Sequence, residues 1–310
     1  MDGVLRERIK CSRGEEVLEQ QTGGTVSILF RTVNHSRDSL PLPLGSTTQT
    51  VQTLPATSPD ISSGRGRTNL RIWDSGLVCN RYRLTHSKQY LAERFQASDE
   101  IEERPRYNIA PTQPVVTVRK EHGRKTRKFT TMRWGLIPSW AKDTSIGTRT
   151  LNARSERVTT TPAFRQSILT KRCLIPADGF YEWQKMGSVK QPYCFEVNEG
   201  DVFAFAGLWD QWKSPDGQII ESCTILTTTP NSLVADLHDR MPVIVPPDKY
   251  DLWLDPDVND FNVIRDILRP YDANLMRRYP VSRKLNNSRI DDAESASPVI
   301  LDTPKQTKLF

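Results

Sequence analysis

The sequence predicts an α+β fold in which a curved, mostly antiparallel, barrel-like sheet carries interspersed helices in a single domain. Strand-like runs broken by Pro and Gly dominate from Cys79 onward. Helical spacing appears only in isolated segments and never alternates with the strands as a parallel βαβ sheet requires. The chain has 310 residues, 36% of them apolar, enough to fill a real core.

Residues 1–78 carry none of that pattern. They hold only Phe30 and Trp73 of the chain's aromatic residues, and 18 of the 78 are Ser or Thr, so they can build little core. The run "LPLPLGSTTQTVQTLPATSPDISSGRGRTN" has turn-formers throughout and no sustained period, and 1–78 is expected to be a disordered leader. Beyond it, "KQYLAERF" has helical spacing. "PVVTV", "KFTTMRWGLI", "KRCLIPADGFYEW", "YCFEV", "VFAFAGLWD" and "SCTILTTTP" read as strands, and "DKYDLWLDP" and "DFNVIRDIL" as helices. The end, 288–310, reads as a polar, partly extended tail.

A formal charge of +6, from 43 Lys and Arg against 37 Asp and Glu, is compatible with an anionic partner but does not identify one. The five cysteines (Cys11, Cys79, Cys173, Cys194, Cys223) are scattered, with no C-x-x-C and no zinc-ligand spacing. A reducing cytoplasm is the expected location, with no metal and no cofactor. No apolar run reaches the roughly 18 residues of a membrane span, and no signal pattern opens the chain. There is no P-loop, no G-x-G-x-x-G and no internal repeat.

Four short stretches carry more polar chemistry than strand ends need: "CNRY" (79–82), "LNARSE" (151–156), "ADGFYEW" (177–183) and "LHDRMP" (237–242). With "RYNIAPTQ" (106–113) and "RWGLIPSW" (133–140), they resemble, in order, the motifs of the SOS response-associated peptidase (SRAP) family, the abasic-site processing proteins. The resemblance runs from Cys79 to about Asn287 and makes 79–287 the expected catalytic domain. It implies a covalent crosslink to abasic sites in single-stranded DNA, formed by a cysteine that stands at the mature N-terminus.

The chemistry follows from the functional groups. A ring-opened abasic sugar presents an aldehyde, and an amine condenses with it to an imine. An α-amine, with a pKa near 7.7–8.0 against about 10.4 for lysine, is far more often unprotonated near neutrality. The thiol of the same residue then closes a five-membered thiazolidine, an intramolecular attack with an effective molarity of about 10⁵ M or more. Cys79 is internal as written, and its amide nitrogen cannot do this. Two routes expose it. Translation can start at Val78 or Leu77 through an alternative start codon, which is the favoured expectation, or the chain can be cut between Val78 and Cys79 by the peptidase activity in the family's name.

The resemblance also assigns roles. Cys79 is the nucleophile. Glu182, in an apolar setting that favours proton transfer, positions the amine and shuttles protons, including in reversal of the link or possible strand cleavage as a lyase. His238 promotes sugar-ring opening, and Asn152 holds the amine or a sugar oxygen. Arg81, Arg154 and Arg240 are expected to grip phosphates. Asn108, Pro111, Trp134 and Pro138 are expected to supply wedge and stacking surfaces for unpaired bases. Cys173, Cys194 and Cys223 are expected to be packing residues, and His35, His86 and His122 surface residues.

Two rivals remain open: a conventional cysteine peptidase pairing Cys79 with His238, and a non-covalent single-stranded-DNA-binding module that needs no thiol. A monomer is the simplest expectation for a protein riding on one strand.

Overall fold

A computed structural model describes residues 80–98, 101, 104–124 and 126–301, together with the backbone of 9–10, 15–22 and 25–32. Cys79, His35 and most of the leader lie outside the described residues.

Ten main strands build the domain: β1 (Tyr82–Leu84), β2 (Arg106–Ile109), β3 (Pro114–Lys120), β4 (Arg127–Trp134), β5 (Arg172–Ala177), β6 (Gly179–Met186), β7 (Val189–Val197), β8 (Phe203–Lys213), β9 (Ile219–Thr228) and β10 (Met276–Pro280). Strands β3, β4, β9, β8 and β5 close on themselves. The β3–β4, β9–β8, β8–β5 and β5–β3 pairs are antiparallel, and β4 meets β9 in parallel at Arg133 with Ser222 and Trp134 with Cys223. Closure removes the sheet edges that would otherwise invite mispairing. On β4, buried and less buried residues roughly alternate, whereas all six residues of β5 are buried, the pattern of a strand covered on both faces. This is the α+β barrel-like fold that the strand pattern predicts.

A second, fully antiparallel sheet has the order β10-β7-β6-β1-β2. The run "KRCLIPADGFYEW" reads as one strand, yet it is two: β5 belongs to the barrel, β6 to the second sheet, and Asp178 is the corner. A Cβ on Gly179 would stand 2.9 Å from both the Arg83 guanidinium and the Cys194 sulfur, so only glycine lets β1 and β7 close around the turn.

The corner is held by charge. Asp178, 1% exposed, accepts from Arg83 Nε at 2.9 Å, from the Thr85 backbone N–H and hydroxyl, and from His86 Nδ1 at 3.0 Å. Arg83 also pairs with buried Glu196, which accepts from Tyr279 Oη and Arg277. Burial pushes the Asp178 carboxyl up, but the bonds from His86 and Thr85 and the charge of Arg83 outweigh it and hold the pKa low. His86 is raised in turn, first by its hydrogen bond to Asp178. His86 is therefore a half-buried ion-pair partner and not the free surface residue expected, whereas His122 is exposed.

Helix α1 (Lys88–Phe95) coincides with the segment of helical spacing. The Ser87 side chain caps it by accepting from Tyr90 N–H, Gln96 ends it in the left-handed conformation, and Leu91 and Phe95, four apart, face the core. Cys173, Cys194 and Cys223 are fully buried. Burial pushes their thiols up, Cys194 to about 12, so they pack and do not react.

The chain past Pro280 is tied down further than its composition suggests. Val281, Leu285 and Ala296 pack with Tyr181, and Asp291 accepts from the backbone N–H groups of Tyr107 and Asn108. In the leader, Glu15–Thr22 pairs antiparallel with Thr25–Thr32, and Ile9–Lys10 with the first of these, where the composition predicts no regular structure. The hairpin signal there is the Gly23-Gly24 pair between the two long strands.

Candidate active site

A pocket of about 690 Å³ opens where β1 meets β6. Asn80, Arg81, Glu182, Trp183, Lys185, Ser188, Val189, Lys190, His238 and Asn286 line it. It gathers three residues chosen from the sequence (Arg81, Glu182, His238) with Asn80, the residue bonded to Cys79.

Glu182 is 4% exposed on β6, opposite Tyr193 of β7. Arg81 enters from the start of β1. Its Nη1 donates to Asn108 Oδ1 at 2.8 Å and to Leu285 O at 3.2 Å, and its guanidinium lies 5.9 Å from the centroid of the Trp183 ring. Trp183 is fixed by donating Nε1–H to Asn286 Oδ1 at 2.7 Å. Asn80 Oδ1 is buried and has no hydrogen-bond partner.

His238 follows the short helix Ser232–Ala235, and its Nδ1 accepts the Arg240 backbone N–H at 3.1 Å. That bond leaves the proton of the neutral ring on Nε2. Asp239 Oδ1 also lies 2.9 Å from Nδ1 and becomes its acceptor only when the ring is protonated. Burial pulls the His238 pKa below the usual imidazole value, so the neutral form prevails at pH 7.

Asn152 and Arg154 sit on a three-residue strand, Asn152–Arg154, that runs parallel to β9, with Ile225 beside Asn152 and Thr227 beside Arg154. Asn152 is half-buried and Arg154 exposed. Neither lines the pocket, but the two sides are linked. Thr227 Oγ1 donates to Ala153 O, Arg240 Nη2 donates to Thr227 O, and the Arg240 backbone holds His238.

Several expected contacts fall elsewhere. Trp134 is fully buried, donates Nε1–H to Leu151 O and stands edge-on to Tyr82, so it is core and offers no stacking face. Asn108 is also fully buried. Its amide donates to the Leu285, Asn287 and Ile290 carbonyls while its oxygen accepts from Arg81, which makes it a brace. Pro138 is buried and Pro111 half-buried. Arg240 is 8% exposed and engaged with Glu156 and Thr227, so its guanidinium has no open fork for phosphate. Trp140, at the end of the same "RWGLIPSW" stretch, is the aromatic residue that sequence reasoning misses: it is 60% exposed. Trp183 closes the "ADGFYEW" stretch beside Glu182, whereas Lys185 and Lys190 carry no signal beyond charge. Among the described residues no three His, Cys, Asp or Glu side chains are placed to hold a metal ion, and no helix is long and apolar enough to cross a membrane.

Residues 78–288 match the family described as SOS response associated peptidase (SRAP). The abasic site processing protein YoqW of Bacillus subtilis is 39% identical over 221 residues, covering 70% of this chain and 98% of that protein. The abasic site processing protein HMCES of Gallus gallus is 32% identical over 235 residues, covering 66% of this chain and 69% of that protein. A crystal structure of a Bacteroides thetaiotaomicron protein superposes with a TM-score of 0.66 at 26% identity, covering 72% of this chain and all of that one. With the family match spanning most of the chain and the fold shared with a solved relative, this chain belongs to the SRAP family.

Proposed function

We propose that this protein processes abasic sites in single-stranded DNA in the DNA-damage response, capturing the lesion covalently on Cys79 once that residue is N-terminal. The α-amine adds to the C1′ aldehyde of the opened sugar, and loss of one water gives the imine. The thiolate attacks the same carbon, the nitrogen takes up a proton, and a thiazolidine results. Glu182 relays the protons of addition and dehydration, and neutral His238, with its proton on Nε2, serves ring opening at the sugar oxygen. Cleavage between Val78 and Cys79 supplies the amine and would use the same Glu182 in peptide hydrolysis.

The observation that carries this reading is that one pocket gathers buried Glu182, His238 and Asn80, the direct neighbour of Cys79. Relatives that share most of the domain and are called abasic site processing proteins support it. The test is denaturing electrophoresis of protein with Cys79 exposed at its terminus and an oligonucleotide carrying one abasic site. A slow band that survives heat and detergent is expected, and it should vanish with Cys79→Ala or after acetylation of the α-amine. A conventional cysteine peptidase would keep its activity after acetylation, and a simple binding module would be indifferent to Cys79→Ala. No band from the protein with a free Cys79 terminus ends the proposal. Cys79→Ser keeps the amine but weakens ring closure, so a labile imine with strand cleavage by β-elimination is expected.

A further inference from the structure

We infer that Asn80 orients the nucleophile: its buried side-chain oxygen accepts an N–H of the Cys79 α-amine and holds that nitrogen beside Glu182. The inference rests on the function proposed above and gives a role to a pocket residue that the reaction has not yet used.

The register of the second sheet brings Asn80 and Glu182 together. β1 and β6 pair Tyr82 with Phe180 and Arg83 with Gly179, and the ladder continues past the end of β1, where Tyr181 N–H donates to Arg81 O at 3.0 Å. The next step of the same register sets Asn80 across from Glu182. Residues so opposed stand on one face of a sheet with Cβ atoms about 5 Å apart. Both line the pocket.

Asn80 Oδ1 is buried without a hydrogen-bond partner, an arrangement that lowers stability unless another state of the protein uses the oxygen. The donors around it are committed elsewhere. Arg81 Nη1 donates to Asn108 Oδ1 and Leu285 O, Trp183 Nε1 to Asn286 Oδ1, and Asn286 Nδ2 to Lys190 O. Freeing the terminus creates a new donor on the adjoining residue, because the amide nitrogen of Cys79 becomes an amine with two hydrogens or an ammonium with three. Consecutive Cα atoms stand about 3.8 Å apart, so this nitrogen lies within the swing of the Asn80 side chain, and asparagine side chains readily bond neighbouring backbone nitrogens. Glu182 takes the proton that the ammonium must lose, Asn80 holds one that remains, and the lone pair is left to face C1′. The protonated imine and the thiazolidine each keep one N–H, so the same oxygen holds the nitrogen through ring closure. A hydrogen-bond acceptor favours the charged amine over the neutral one, so Asn80 raises the pKa of the amine that it orients.

Two forms of the protein separate this role from simple packing. In the full 310-residue chain the oxygen has no partner, so Asn80→Ala should leave the urea midpoint unchanged or raise it. The second form begins at Cys79, within the segment Arg71–Phe310 that is a compact unit by itself. There the same substitution should slow thiazolidine formation about tenfold on the high-pH plateau and move the half-maximal pH down by about 1. Asn80→Asp, which keeps the acceptor and adds a charge, should recover most of the plateau rate and move the half-maximal pH up. The probe is acetaldehyde, with capture read by intact mass, run beside the oligonucleotide carrying one abasic site. A lowered midpoint in the full chain, an unchanged rate for Asn80→Ala, or a slower reaction whose half-maximal pH does not move overturns the inference. If acetaldehyde capture depends on Asn80 in this way but the wild type forms no adduct with the abasic oligonucleotide, the role of Asn80 stands and the crosslinking reading fails. If the abasic adduct forms with the same rate and pH dependence with and without Asn80, the crosslinking reading stands and the role of Asn80 fails.

Discussion

Arg240 donates from both terminal guanidinium nitrogens to the two carboxylate oxygens of Glu156, at 2.7 and 2.8 Å. Its Nη2 also reaches Thr227 O, and its own backbone N–H holds His238 Nδ1. One residue thus joins the 3₁₀ turn after the strand Asn152–Arg154, the end of β9 and the imidazole at the pocket. The N–H that holds the His238 ring lies on the Asp239–Arg240 peptide.

Replacing Arg240 with Ala should accordingly lower stability without changing the salt dependence of DNA binding. Glu156 is half exposed, so the ion pair itself contributes less than about 1 kcal/mol. The lost bond to Thr227 O and the buried space raise the total to about 1–3 kcal/mol, read as a fall in the urea midpoint. Glu156→Gln, which keeps hydrogen bonding, should cost under about 1 kcal/mol. A flattened salt slope for Arg240→Ala would instead mean that its guanidinium grips phosphate.

His238 should titrate below the ordinary imidazole value of about 6.5 in the folded protein, because burial disfavours its charged form. Between the two pKa values the unfolded chain binds more protons, so stability rises with pH there. The contribution of His238 is complete above about pH 6.5 and is lost as pH falls through the folded pKa. NMR titration of the ring Cε1–H measures this directly. His238→Gln should slow adduct formation by about 100-fold if the imidazole moves a proton in the reaction, and by little if it only fills space.

The Asp178 corner predicts a pH-dependent effect on stability. Asp178→Asn removes the charge that compensates Arg83 and His86 in a buried setting and should cost about 3–5 kcal/mol. The depressed carboxyl contributes above its unfolded pKa near 3.9 and loses that contribution as pH falls. Raised His86 contributes below about 6.5, and its share fades as pH rises through its folded pKa. The difference between wild type and Asp178→Asn should therefore be widest from about pH 4 to about pH 6.5 in urea titrations. A difference that is flat across pH 4–9 would remove His86 from the network.

What the sequence revealed depended on patterns that one strand or helix carries by itself. The spacing in "KQYLAERF" places Leu91 and Phe95 on one face and gives the helix, and Glu182 and His238 stood out because they are chemically rare in their surroundings. Relations between distant strands left no such mark. Nothing in "KRCLIPADGFYEW" tells that Asp178 turns the chain from one sheet into another, since its partners Arg83 and His86 are more than 90 residues away. Trp134 and Trp140 share a motif and a residue type. Only the closure of the barrel, which pairs Trp134 with Cys223 on β9, decides that the first is core and the second is exposed.

That exposure gives the last prediction. The loop carrying Trp140 is anchored on both sides: Ile137 N–H donates to Ser222 Oγ at 2.7 Å, Ser139 N–H to Asp210 Oδ2 at 2.8 Å, and Trp212 Nε1 to the Ala141 carbonyl at 2.7 Å. Its start is equally constrained. Gly135 has φ +125°, and a Cβ there would meet the Gly147 carbonyl oxygen at 2.4 Å. An indole left 60% exposed on so fixed a loop gains little for the fold and presents a ready face to an unstacked base. Trp140→Ala should leave the unfolding free energy from urea titration within about 0.5 kcal/mol of the wild type, while weakening single-stranded DNA binding by about 1–3 kcal/mol, roughly 5- to 150-fold. Trp134→Ala should do the opposite, costing about 3–5 kcal/mol of stability. Equal DNA affinity for Trp140→Ala and the wild type would show that the exposed ring stacks on no base.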